Sequence, residues 1–250
     1  MPDLQYAILL GLAAGFIPVY LGLIPLPLFR RASASYKSLL VSFSVGILLF
    51  LFVDVTENAA NLAKSAASGP LLFTLGLILG LGGPALITYR RRPTNGQSPL
   101  LPNGLKTTKL FTAYMISVGI GLHNFGEGLA VGAAYAAGQL ALTTILVIGF
   151  ALHNGTEGMG ISGPLSDIPI RAKEPLLLGF LAGFPTILGS VVGSFAYSTL
   201  VGALFFSAAA GALLYVIVEL VKISRSPRST FVGISLGIVL MYLTELLLSV

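Results

Sequence analysis

The chain has 250 residues, of which 55% are hydrophobic and only 9% are charged, a balance that excludes an ordinary soluble domain and predicts a polytopic membrane protein. The absence of cysteine excludes disulfides and thiolate metal sites, which are the softest ligand sets and favour Cu(I). The net charge of +5 would suit nucleic acid or anionic lipid, and its distribution along the chain favours the membrane surface over nucleic acid.

Eight apolar stretches are about twenty residues long or more, which is enough for each to cross a bilayer as a helix. Turn-forming residues, such as Pro25, Pro27 and Gly138, separate them. No basic residue precedes the first stretch, so we expect a retained span and not a cleaved signal. The sequence thus predicts an all-α fold with one transmembrane domain over residues 1–250. The predicted spans are 4–25, 35–60, 70–89, 110–137, 140–162, 175–200, 203–223 and 230–250.

The basic residues predict the orientation of these spans. Thirteen of the fourteen Lys and Arg residues lie on one side of the predicted membrane, and only Lys64 lies on the other. By the positive-inside rule the first side is cytoplasmic, which places both termini outside. The longest polar stretch, residues 90–109, is rich in Pro, Asn, Gly and Ser and predicts a flexible cytoplasmic loop between the third and fourth spans.

Two related hexapeptides lie within the fourth and fifth spans, thirty residues apart: His-Asn-Phe-Gly-Glu-Gly at 123–128 and His-Asn-Gly-Thr-Glu-Gly at 153–158. They contain both histidines of the protein. On a helix the side chain at i+4 lies about 40° from that at i, so His123 and Glu127 share a face, as do His153 and Glu157. An imidazole and a carboxylate one turn apart, present twice, predict a site for a divalent cation of intermediate hardness.

The asparagine that follows each histidine adds a further possible ligand. Asn124 lies about 100° from His123 with Glu127 angularly between them, so Glu127 can reach a metal held by the histidine or a second metal held by the asparagine. Asn154 has the same relation to His153 and Glu157. The glycine at the sixth place, Gly128 or Gly158, leaves room for another backbone to come close.

Both hexapeptides are expected near the middle of the membrane. Each histidine lies thirteen residues from the predicted start of its helix, or about 20 Å along it. Because the two helices are antiparallel, the copies would be related by a pseudo-two-fold axis in the membrane plane, as in transporters built from inverted repeats. A site between the halves suits alternating access.

Four further acidic residues lie nearer the membrane surfaces, and buried acids usually face a bundle interior or a water-filled path. Asp54 and Glu57 fall near the outer end of the second span, Glu245 in the outer third of the eighth, and Glu219 in the inner third of the seventh. We interpret them as an acidic entrance outside and a carboxylate towards the exit. The alternatives are a solvated helix end for the outer acids and an interfacial ion pair of Glu219 with Lys222.

These residues resemble those of the ZIP (Zrt/Irt-like) family of divalent metal transporters over essentially the whole chain. The family has eight spans with both termini outside and the signature His-Asn-x-x-Glu-Gly on its fourth helix, matched here at 123–128 and followed by a related set at 153–158. The resemblance implies that the transported ion is typically zinc, with iron, manganese or cadmium in some members. It also implies an elevator-like movement of a helix group, a homodimer and a multi-pass location in the plasma membrane. The metal ligands that it implies are His123, Glu127, His153 and Glu157, with Asn124 and Asn154 available for a second site.

Two departures from the family pattern are visible. Many bacterial members have Glu-Pro on the sixth helix, where the glutamate supplies a carboxylate ligand to a second metal. This chain has Phe184 and Pro185 at that place. A binuclear site is therefore not expected. The loop before the fourth helix is histidine-rich in many relatives and contains no histidine here, so no cytoplasmic metal-sensing loop is expected.

Three functions remain open from the sequence. The first is transport of a divalent cation, foremost Zn²⁺, into the cytoplasm through a His₂Glu₂ site, with no catalytic cofactor. The alternative is an intramembrane zinc-dependent hydrolase, in which three ligands hold zinc and a bound water attacks. His-Glu-x-x-His is absent, which weighs against that alternative. A structural metal site is the third, and it leaves the acids near both membrane faces unexplained.

Overall fold

The computed structural model is helical throughout the residues that it describes, which are 2–90, 104–166, 168–196, 198–223 and 227–248. Within these ranges it describes all side chains except those of 87–90, 104–108, 153, 223, 227–228 and 247–248. In chain order the helices are α1 (Leu4–Gly11), α2 (Ile17–Leu23), α3 (Leu26–Arg31), α4 (Ala34–Ala63), α5 (Gly69–Arg90), α6 (Gly104–Ala136), α7 (Leu140–Leu165), α8 (Lys173–Ala196), α9 (Thr199–Ile223) and α10 (Pro227–Leu248).

The first predicted span is longer and less regular than expected. Asp3 caps α1, because its Oδ1 accepts hydrogen bonds from the N–H groups of Gln5 at 2.7 Å and Tyr6 at 3.3 Å. One π-helical turn, Leu12–Phe16, joins α1 to α2. The prediction that Pro25 ends this span was wrong, since the segment continues through α3 to Arg31. Pro25 is the N-cap of α3 and another proline follows in its first turn, where no N–H group is needed.

The predicted loop at 90–109 is also shorter than expected. Residues 91–103 lie outside the described part of the chain, but α6 already begins at Gly104, so residues 104–109 are helical. Lys109 is only 2% exposed and belongs to the packed part of this helix. The boundary was misplaced because the basic and polar residues at this end of α6 do not differ in composition from a loop.

The turn between α6 and α7 is a Schellman motif. The N–H of Gly138 donates to Tyr135 O at 2.9 Å, and the N–H of Gln139 donates to Ala134 O at 3.0 Å. Gly138 has φ of 71°, a conformation that a glycine adopts without strain. This short turn reverses the chain, so α6 and α7 run antiparallel, as the position of Gly138 predicted.

Seven helical segments of the described chain are long and apolar enough to cross a membrane: Leu4–Arg31, Ala34–Ala63, Gly69–Leu86, Leu140–Leu165, Lys173–Ala196, Thr199–Lys222 and Ser229–Leu246. Large apolar side chains, among them Leu75, Ile78 and Leu79 on α5 and Val239 and Leu243 on α10, are exposed on the outer surface. Such a surface suits contact with lipid and would be costly in water. The protein is therefore an integral, multi-pass membrane protein.

The helices form two groups. The site group consists of α1–α3, α6, α7 and α8, and the support group consists of α4, α5, α9 and α10. Extensive contacts lie within the groups, between α6 and α8, α2 and α7, α5 and α9, and α4 and α10. Contacts of α6 with α9, and of α7 with α4 and α10, join the groups.

A two-fold relation connects many of these contacts. This relation exchanges α1–α3, here called the first segment, with α8. It also exchanges α4 with α9, α5 with α10 and α6 with α7. The α6–α8 contact then becomes the contact of α7 with the first segment. The same exchange converts α5–α9 into α10–α4 and α6–α9 into α7–α4, and all six contacts are present. This is the contact pattern that an internal repeat produces.

Candidate metal site

The two hexapeptides face each other where α6 packs on α7. His123 Nε2 lies 3.1 Å from Glu127 Oε1, one turn further along α6, and 3.7 Å from Glu157 Oε1 on α7. None of these three residues is more than 2% exposed. The fold thus brings one imidazole and two carboxylates from separate helices into a single buried cluster.

The fourth predicted ligand, His153, is described only by its backbone. The backbone of residue 153 is part of α7, but the His153 side chain lies outside the described residues. Among the side chains that are described, no three His, Asp or Glu groups form a ready metal-ligand set. The four-residue set His123, Glu127, His153 and Glu157 therefore stays a prediction.

Asn154 connects three parts of the site group. It is fully buried, and its Nδ2 donates to Glu127 Oε2 at 2.8 Å and to the backbone oxygen of Ala14 at 3.0 Å. Glu127 is consequently held on both sides, with Oε1 next to His123 and Oε2 bonded to Asn154. A carboxylate with both oxygens engaged has little freedom to rotate, so its orientation is fixed before any ion arrives.

Asn124 makes a related contact on the other side of the site. It is fully buried, and its Nδ2 donates to the backbone oxygen of Ala182 on α8 at 3.0 Å. The two-fold relation exchanges these two contacts, because Asn124 joins α6 to α8 and Asn154 joins α7 to the segment that contains Ala14. The Oδ1 atoms of Asn124 and Asn154 are buried and accept no hydrogen bond from the described residues, which leaves both oxygens available to a cation.

A proline explains why the carbonyl of Ala14 is available to Asn154. In a regular α-helix the oxygen of Ala14 would accept from the N–H of residue 18, but Pro18 has no N–H. The π-helical turn lies at the same place. On α8, Pro185 removes the donor for Leu181, so it does not account for the contact of Asn124 with Ala182. The roles of Ala14 and Ala182 were not predicted from the sequence, and the signal for Ala14 was a proline four residues later.

The glycines that close the hexapeptides let other backbones approach, as predicted. A Cβ at residue 128 would overlap the backbone oxygen of Thr186 on α8, and one at residue 158 would overlap that of Val19 on α2. Both glycines are buried. Close helix approach at these two points keeps α6 and α7 fixed against the helices that accept the asparagine hydrogen bonds.

The four acidic residues predicted nearer the membrane surfaces lie on the support group. Asp54 is half-buried on α4 and accepts a hydrogen bond from Asn58 Nδ2 at 3.1 Å. Glu57 is exposed, and Glu245 is half-buried on α10. These positions do not test whether the acids line an ion path, so that role stays a prediction.

Glu219 has a specific partner in the structure. Its Oε1 accepts a hydrogen bond from Lys222 Nζ at 2.6 Å, three residues along α9, and Lys222 is largely exposed. This is the ion pair that the sequence allowed as an alternative. A pair at this exposure is worth about 1 kcal/mol or less.

Phe184, which stands where many bacterial family members have a glutamate, packs against other aromatic side chains. The Phe184 ring stacks on Phe180 with centroids 4.6 Å apart and an interplanar angle of 13°, and Phe180 in turn meets Phe16 edge-on at 6.4 Å. Phe184 therefore contributes to an aromatic contact between α8 and the first segment. It brings no donor to a metal.

Comparison with known proteins identifies the family. The sequence model of the ZIP zinc transporter family matches residues 99–245, which is more than half of the chain. The zinc transporter ZupT of Shigella flexneri serotype 5b (strain 8401) is 30% identical over 212 residues, covering 83% of this chain and 79% of the relative. The zinc transporters ZupT of Escherichia coli O127:H6 (strain E2348/69 / EPEC) and of Escherichia coli O1:K1 / APEC are 30% and 29% identical with the same coverage.

This family consists of transporters, so the hydrolase alternative is not supported. The resemblance carried by the two hexapeptides is confirmed by a match that extends well beyond them. An all-helical, multi-pass chain with a buried cluster of imidazole and carboxylate groups agrees with that assignment. The chain is a member of the ZIP zinc transporter family.

Proposed function

We propose that the chain carries a divalent cation, foremost Zn²⁺, across the membrane into the cytoplasm, and that the ion binds between α6 and α7. The observation that carries the proposal is the meeting of His123, Glu127 and Glu157 in a buried cluster with Nε2–Oε1 distances of 3.1 and 3.7 Å. The relatives named zinc transporter ZupT support zinc as the cargo.

His123, Glu127, His153 and Glu157 would supply two imidazoles and two carboxylates, a set that suits the tetrahedral preference of zinc. Fe²⁺, Mn²⁺ and Cd²⁺ accept the same donors, so selectivity has to be measured. The buried oxygens of Asn124 and Asn154 are additional donors at the edge of this site. Two carboxylates in a buried cluster need a positive charge, which the cation supplies.

We count α6 as the eighth span, with both termini outside and with residues 91–103 on the cytoplasmic side. At 33 residues α6 is long enough to cross, and His123, Asn124 and Glu127 are the polar residues that lower its hydropathy. Because the chain contains no cysteine, single cysteines can test this orientation. Gln139→Cys, at the exposed α6–α7 turn, should react with an impermeant maleimide added outside intact cells, and Arg171→Cys, exposed before α8, should not. Labelling in the reverse pattern would contradict the topology.

The transport proposal is tested by zinc uptake into proteoliposomes that contain a fluorescent zinc indicator. Glu127→Gln keeps the shape of the side chain and removes a ligand charge, and we expect uptake to fall at least about tenfold. Glu174→Gln is the matched control, because Glu174 lies at the start of α8 and is bonded to the Tyr114 hydroxyl at 2.5 Å. Uptake should persist in the control. Equal uptake by Glu127→Gln and wild type would contradict the site, and absence of uptake in wild type would contradict the function.

We also propose a plasma-membrane homodimer, for which cross-linking in native membranes is the direct test.

A further inference from the structure

Asn154 on α7 donates a hydrogen bond to a candidate metal ligand on another helix, Glu127 on α6. Its Nδ2 lies 2.8 Å from Glu127 Oε2 and 3.0 Å from the oxygen of Ala14, and the residue is fully buried. The neutral amide therefore occupies the side of Glu127 that faces away from His123. A second cation bridging from that side would have to displace this hydrogen bond.

Charge balance points the same way. A histidine that ligates metal through a lone pair is neutral, so the charged groups of the cluster are Glu127 and Glu157. One divalent cation neutralises both carboxylates. Asp54 lies on α4 of the support group, is half-exposed, and is not part of the buried cluster. A second divalent cation would leave a net positive charge buried among apolar helices, which is costly.

Among the described side chains around Asn154, none supplies a compensating carboxylate. On the first segment the group facing Asn154 is a backbone carbonyl, which carries no charge. On α8 Phe184 is stacked on Phe180 with ring centroids 4.6 Å apart, and the oxygen of Ala182 receives the amide of Asn124. Among the described residues around Asn154, the amide itself is thus the group that satisfies Glu127 Oε2.

We propose that Asn154 is a positioning residue that fixes Glu127 through its amide and stands where a second cation would bind, so that the site takes one divalent ion at a time. The inference rests on the proposed function of the cluster. In this arrangement Ala14 and Pro18 set the position of Asn154, Asn154 sets Glu127, and Glu127 presents Oε1 towards the ion beside His123.

The experiment counts zinc bound at the site. Purified protein in nanodiscs is dialysed to equilibrium against zinc at pH 8, and metal per chain is measured by mass spectrometry. The count for a Glu127→Gln/Glu157→Gln double variant is subtracted to remove zinc held by other acids. We expect one site-specific zinc per wild-type chain. A count of two would overturn the inference while leaving transport intact, and a count of zero would overturn both the inference and the proposed function.

Two substitutions of Asn154 then test the role of the amide. Asn154→Asp replaces the donor by a third carboxylate, and we expect the count to rise to two. A count that stays at one in Asn154→Asp would show that the amide does not stand where a second cation would bind, and would overturn the inference. Asn154→Leu should keep the count at one and weaken zinc binding about tenfold, and an unchanged affinity would overturn the positioning role.

Discussion

Gly158 is where the packing of the site can be tested most directly. An added Cβ at this position would lie 2.2 Å from Val19 O and 2.8 Å from Gly22 Cα on α2, where ordinary contacts begin at 3.4 Å, so Gly158→Ala must move α7 away by about 1 Å. The hydrogen bond from Asn154 to Ala14 O crosses the same interface at 3.0 Å. Lengthened by that amount it would no longer qualify as a hydrogen bond, and Asn154 would lose its anchor.

Gly160→Ala is the control for this prediction. Gly160 lies two residues further along α7, and an added Cβ there would have no heavy atom within 4 Å. Both changes bring the same gain in helix propensity, about 1 kcal/mol, so their difference isolates the cost of helix separation. We expect Gly158→Ala to be less stable than Gly160→Ala by about 1–3 kcal/mol and to bind zinc about tenfold more weakly. Unfolding in detergent and zinc titration measure these quantities. Equal stability and affinity of the two variants would refute the role of close packing at Gly158.

Three further predictions concern the anchor, the protons and the two helix groups. Pro18→Ala supplies an N–H group that competes with Asn154 for Ala14 O, so zinc uptake should fall although the first segment becomes a better helix; uptake above the wild-type level would contradict this. Zinc binding should weaken between pH 7.5 and 5.5 because protons compete for His123 and the carboxylates, and a dissociation constant independent of pH would count against ligation by these groups. A short bifunctional thiol linker between Thr156→Cys and Met241→Cys, whose side chains now share a 3.1 Å hydrogen bond across the two groups, should abolish uptake, preserve zinc binding and be reversed by reduction. Undiminished uptake by the linked protein would show that the groups do not need to move.

The sequence predicted the features that depend on local pattern. Helical spacing placed His123 over Glu127, and Gly138 marked the reversal that makes α6 and α7 antiparallel. The start of α6 was missed, because a helix that extends beyond the membrane carries the same polar residues as a loop. The continuation beyond Pro25 was missed because a proline that ends one helix can also begin the next.

The contacts that depend on a neighbour could not be predicted in the same way. The expected role of Asn154 as a metal ligand stays a prediction, and the hydrogen bonds that its amide nitrogen donates to Glu127 and Ala14 were not foreseen. Nothing in the hexapeptide shows that its partner is a backbone oxygen released by Pro18, since that depends on which helix packs against α7. Sequence spacing therefore indicates which side chains share a face, while the donors that orient them become visible only when the packing is known.

The distribution of polar groups between the two helix groups bears on how an ion could pass. His123, Glu127 and Glu157 are on α6 and α7 of the site group, whereas Asp54, Glu57, Glu219 and Glu245 are all on helices of the support group. The hydrogen bonds of Asn124 and Asn154 stay within the site group, so a displacement between the groups would move the ligands together without breaking them. The four acids of the support group would not follow. An ion held by the cluster would then move relative to the carboxylates of the support group while its own ligands stayed the same. Alternating access requires such a movement of a bound ion with its site.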